Sequence, residues 1–167
     1  MELRAFAARL VIALVCGILI GLERQLRQRS AGLTTNSLVA VGACIFILIS
    51  ETVIANSIAK GGPVNNDNLR VLAQIVTGIG FLGAGVILRD GFTIHGLNSA
   101  ATLWCSAAVG SMCGYGLWKE AIMAVTVILF INWILKSLEH YLENRSKKSP
   151  LSDPYVKEED ISKPQQN

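Results

Sequence analysis

Residues 74–91 read QIVTGIGFLGAGVILRDG, and within them Gly78-Ile-Gly80-Phe-Leu-Gly83 spells G-x-G-x-x-G. That spacing is the dinucleotide-binding fingerprint only when it follows a strand and opens a helix. No strand pattern precedes Gly78, and the glycines fall in the middle of an apolar run. The solvent around this run decides how it is read.

The run, residues 71–88, holds 18 residues without a charge, and 97–118 holds 22. Residues 10–22, 34–50 and 121–135 are uncharged as well. Only 16% of the 167 residues are charged, against about 25% in soluble domains. A hydrocarbon core about 30 Å thick needs about 20 mostly apolar residues per helix. The pattern predicts an all-α, polytopic membrane helix bundle with five spans, near residues 4–22, 36–56, 70–88, 97–118 and 119–137. A cofactor loop in lipid would strand its backbone polar groups, so the glycines are not a nucleotide site. A cleaved leader is the lesser reading of the first block, because no Ala-x-Ala site follows it and Glu23-Arg24 ends it abruptly.

The net charge of +3 lies in residues 1–135, because the tail from 136 onward carries six basic and six acidic residues. It is not a nucleic-acid footprint. Ten Lys or Arg fall on the odd connections and the tail, and five on the other side. The positive-inside rule then puts the N-terminus outside and the C-terminus in the cytoplasm. Cys16, Cys44, Cys105 and Cys113 all fall inside spans without C-x-x-C spacing and read as small packing residues.

On a helix, Gly78 and Gly85 share a face with Gln74, while Gly80, Gly83 and Ala84 lie roughly opposite with Ala73. Helices in lipid associate where small residues let backbones approach. The third span is therefore expected between two neighbours at the centre of the bundle, with a thin-walled permeation path as the alternative. The fourth span repeats Thr102, Ser106, Gly110 and Gly114 at every fourth position, a ladder expected to face the third span. A bulky change such as Gly83→Leu is expected to abolish folding.

Polar residues mark three places. GLERQLRQRSAGLTTN, residues 21–36, brings Glu23, Arg24 and Arg27 to the inner face, with a helical Glu23–Arg27 ion pair available. RDGFTIHGLN, residues 89–98, brings Arg89, Asp90 and Asn98 to the same face. Glu23, Arg24, Arg89, Asp90 and Asn98 form the candidate functional cluster, with Glu23 opposite Arg89 and Arg24 opposite Asp90 as the pairing to test. Glu51 reads as a carboxylate near the outer headgroups, and Arg9 as a cation snorkelling outward. No P-loop, pump aspartate or nucleophile–base pair is present. The chain is expected to be non-enzymatic, with no cofactor and no metal site. Residues 1–145 form the membrane domain, whose last helix continues amphipathically through Ile131, Leu135, Leu138 and Leu142. Residues 146–167 read as a disordered tail.

The stretches GLERQLRQRSAGL, AQIVTGIGFLGAGVILRDG and GLNSAATLWCSAAVG, taken in order, resemble the MgtC/SapB family of bacterial inner-membrane proteins. The resemblance covers about residues 5–135. It implies a multi-pass inner-membrane protein that supports growth in low Mg²⁺ and survival in macrophages. It also implies restraint of the proton-translocating ATP synthase and, for some members, binding by a small regulatory membrane peptide. Homo-oligomers are compatible with it. The rival readings are a magnesium transporter or channel component and a scaffold for a sensor kinase. Two departures stand out. Thr34 follows A-G-L where the family pattern usually has Arg, and a short tail stands where better-known members carry a cytosolic ACT-like domain.

Overall fold

The computed structural model describes residues 2–61 and 68–135. The chain divides into two units, 1–129 and 130–167. The first contains α1 (Leu3–Leu26), α2 (Leu33–Ala59), α3 (Asn68–Val86), a two-stranded hairpin, α4 (Leu97–Gly114) and nearly all of α5 (Trp118–Phe130). In the second unit the described residues finish α5 and form a π-helical turn, Ile131–Leu135. The amphipathic continuation at Leu138 and Leu142 and the disordered tail lie outside the described residues.

This is an all-α membrane helix bundle. Among the described residues three helices, α1, α2 and α3 from Leu69, are long and apolar enough to cross a membrane. The polarity of the bundle is inverted relative to a soluble domain. Val11, Leu14, Val15, Ile18 and Leu19 of α1 point outward, as do Phe46, Ile49 and Val53 of α2. Asn36, Ser37, Ser99, Thr102, Ser106 and Ser111 are buried. An exterior this apolar is at home in lipid, not water, and the interior hydroxyls and amides hydrogen-bond between and within helices.

The order of the helices differs from expectation. The centre belongs to α2 and α4, and α3 lies at the flank. The cause is where backbones can touch. A Cβ on Gly110 would collide with the Ala40 carbonyl of α2, and one on Gly114 would sit 2.7 Å from Ile47. The Thr102–Ser106–Gly110–Gly114 ladder thus closes on α2, with Ser106 bonded to Asn36, and not on the third span. On α3, a Cβ at Gly78, Gly80 or Gly85 would meet nothing within 4 Å. Gly83 alone of these faces a neighbour, with Ala100 of α4 at ordinary contact, 3.6 Å. There is room there for one methyl group, so an alanine at 83 fits where a leucine would wedge the two helices apart.

A second small-residue contact was not anticipated. Gly17 and Gly21 of α1 are four residues apart, and a Cβ on either would lie 2.7 Å from an α2 Cα, Ser37 or Leu33. The two backbones therefore touch directly. The signal was present as a G-x-x-x-G in a 24-residue apolar helix. Three cysteines, Cys16, Cys44 and Cys113, are buried where α1, α2 and α4 meet, and Cys105 is half-buried; all four are free thiols.

The strands are the other departure from an all-helical expectation. Leu88–Asp90 pairs antiparallel with Thr93–His95, Arg89 opposite Ile94. The two-residue turn begins at Gly91 with φ +57°, the positive φ that tight hairpin turns require. Asp90-Gly91-Phe92 ahead of Thr93-Ile94-His95 carried that signal. The chain then enters α4 through Gly96 at φ +87°, pressed so close to the Val86 carbonyl that no Cβ fits. α4 ends in a Schellman motif: Leu117 N–H donates to the Met112 carbonyl at 2.9 Å and Gly116, at φ +78°, to Cys113 at 3.0 Å.

Candidate functional site

The end of α1, the start of α2 and the start of α4 meet at one end of the bundle. Arg24 sits in the last turn of α1 with 1% of its surface exposed. Its guanidinium donates to the Asn98 side-chain oxygen and to Ser99 Oγ at 2.9 Å, both in the first turn of α4. Ser30 donates to Ser99 Oγ at 3.0 Å and ties in the α1–α2 connection. A planar fork with several donors can hold two acceptors at once, which an ammonium does less well. The arrangement fixes the roll of α4 relative to α1.

Behind it lies a second polar node. Asn36, fully buried, donates through its amide to the carbonyls of Ala31, at 3.1 Å, and Gly32, at 2.8 Å. It accepts from Ser106 at 2.8 Å. Asn36 thereby ties the start of α2 to the middle of α4. Sequence reading did not single it out. The available signal was an amide at the start of a predicted span, where polar side chains commonly bond across helices.

The candidate cluster is split by the fold. Arg24 and Asn98 are brought into contact. Glu23 pairs with Arg27, Nε to Oε1 at 2.5 Å, one turn along the same helix. Arg89 and Asp90 lie exposed on the hairpin, and Arg89 donates to the Gly91 carbonyl at 2.9 Å. Arg24 therefore does not take Asp90 as its partner. Burial selects the neutral acceptors of α4, while the hairpin charges stay exposed.

At the opposite end, Arg9 and Glu51 pair at 2.6 Å, each about a quarter to a third exposed. Arg9 also donates to the Gly114 carbonyl at 2.7 Å, a cation at a helix C-terminus, where the dipole favours it. Two residues read separately as headgroup-level charges thus form one tie between α1, α2 and α4. Among the described residues, no three His, Cys, Asp or Glu side chains cluster to hold a metal ion.

The bundle and its buried arginine node describe a membrane protein whose polar chemistry holds helices together. Comparison with known proteins agrees on the class. The sequence profile of the MgtC family matches residues 10–141. Protein MgtC of Brucella abortus is 49% identical over 148 residues, covering 89% of this chain and 58% of that protein. Protein MgtC of Salmonella typhimurium is 51% identical over 131 residues, covering 78% and 52%. An uncharacterized Synechocystis protein is 46% identical over 149 residues, covering 89% and 60%. No solved structure matches. The chain belongs to the MgtC family, and it spans little more than half the length of the curated relatives it matches.

Proposed function

We propose that this chain is a non-enzymatic, multi-pass protein of the bacterial inner membrane that modulates another membrane complex. The partner the reading favours is the proton-translocating ATP synthase, restrained during Mg²⁺ limitation and inside macrophages. The observation that supports it is the free flank of α3. Ala73, Thr77, Gly80 and Ala84 recur at helical spacing, and all are exposed. A Cβ at Gly80 meets nothing within 4 Å. Small residues on a lipid-facing flank are where another helix can approach closely. A span of the partner complex seats there in this reading, and a single-span regulatory peptide would compete for the same stripe.

ATP-driven proton pumping in inverted membrane vesicles tests the reading, with synthase content equalised by blot and the proton leak checked with the synthase blocked. Pumping falls when the protein is present, the leak does not rise, and Gly80→Leu restores pumping at equal expression. Unchanged pumping with the wild-type chain removes the synthase as the partner of this part of the protein.

A further inference from the structure

A cleft of about 660 Å³ opens between α2 and α3, within the span of about 300–1,000 Å³ that small-molecule sites occupy. Phe46, Ile75 and Leu82 are among the apolar side chains lining it, and Gly42 and Gly78 leave its wall thin. A Cβ at either glycine meets nothing within 4 Å. This face of α3 is distinct from the Gly80 stripe.

Apart from Gln74 the cleft is apolar along its length, and Thr34 and Thr35 in the first turn of α2 form a polar mouth. That helix begins without a side-chain cap and without an acidic residue in its first turn. Its unpaired N–H groups and the positive end of its dipole open at the mouth. Arg27 and Arg29 lie in the connection just before it. Arg89 lies on the hairpin just after α3, whose Leu82 lines the cleft. The acidic groups of these segments are Glu23, paired with Arg27, and Asp90 on the hairpin. An apolar channel with a cationic end complements an amphiphile with an anionic head.

We propose that the α2–α3 cleft seats one acyl chain of an anionic membrane phospholipid, its phosphate held at the Thr34–Thr35 turn by the backbone amides and the neighbouring arginines. A protein helix fits less well. Such a helix brings no anion to the cationic mouth. The proposal goes beyond the partner reading and does not depend on it.

Native mass spectrometry of the chain released from nanodiscs of equimolar phosphatidylglycerol and phosphatidylcholine is the test. One phosphatidylglycerol adduct is expected to dominate. Gly42→Phe and Gly78→Phe, where the added Cβ meets nothing within 4 Å and the ring fills the cleft, should each abolish it. Arg29→Gln should reduce it about fivefold, the effect of one cation near an anionic headgroup, and Gly80→Leu should leave it intact. Helicity by circular dichroism shows which filled variants to read, and the choice between the two lipids stands without them. Equal retention of both lipids, or adducts that persist when the cleft is filled, overturns the proposal. A lipid-free dimer that Gly42→Phe dissociates also overturns it and gives the cleft to a second copy.

Discussion

Ser106 of α4 donates a hydrogen bond to the Asn36 side chain of α2 at 2.8 Å, between residues 70 apart in sequence and with both side chains fully buried. The same amide closes two carbonyls ahead of α2, so one side chain sets both where α2 begins and how it meets α4. Ser106→Ala leaves the Asn36 oxygen without its donor. We expect a loss of about 1–2 kcal/mol, and a coupling with Asn36→Ala of about 0.6–1.7 kcal/mol. A double-mutant cycle in mixed-micelle unfolding measures it. Strict additivity would show that the bond contributes nothing.

Arg24→Ala should destabilise the bundle more than Arg24→Met. The alanine removes both the bonds to α4 and the volume of a fully buried side chain, at about 3 kcal/mol or more. The methionine refills the space and removes the desolvated cation together with its bonds, so its cost should stay below about 1.5 kcal/mol. Ser99 keeps Ser30 as a partner in both variants. Unfolding midpoints of the two variants decide; equal losses would mean that the hydrogen bonds, not the volume, hold the site.

Gly110→Ala should prevent α2 and α4 from closing, because the added carbon meets the Ala40 backbone, which cannot rotate away. Gly80→Ala should leave the fold unchanged. Size-exclusion profiles and helicity in detergent separate the two outcomes, and a monodisperse, fully helical Gly110→Ala protein would contradict the α2–α4 packing.

Reversing the Arg9–Glu51 pair should rescue only in part. Arg9→Glu loses both Glu51 and the bond to the Gly114 carbonyl. Adding Glu51→Arg restores the pair, worth about 0.2–1 kcal/mol at this exposure, but leaves the Gly114 carbonyl without its donor. Thermal unfolding in detergent should therefore rank wild type above the double variant, and the double variant above Arg9→Glu. Full recovery would show that the α4 contact is dispensable.

The solvent of the fold was legible in the chain because long uncharged runs admit only helices in lipid. The ladder Thr102–Gly114 was legible as a packing face for the same reason. Its partner was not. Small residues announce that something can come close, not what does, and α3 with four glycines looked more central than α2 with its one. The crossed pairing of Arg24 with Asp90 failed because charge complementarity was weighed without burial. Asn98 and Ser99 take the two terminal guanidinium nitrogens at lower desolvation cost than a carboxylate would. The hairpin was readable from Asp90-Gly91 but was hidden by an expectation of helices alone.

Arg9 and Arg24 lie 15 residues apart on one helix, about 22 Å along its axis, and each grips α4 near one of its ends. A slide of α1 by a single turn, about 5.4 Å, would break both grips at once, and an arginine at one end alone would not oppose a pivot about itself. Together they act as a two-point latch on vertical register. Bilayer thinning or thickening can then tilt the bundle as a block, but it cannot shear α1 past α4.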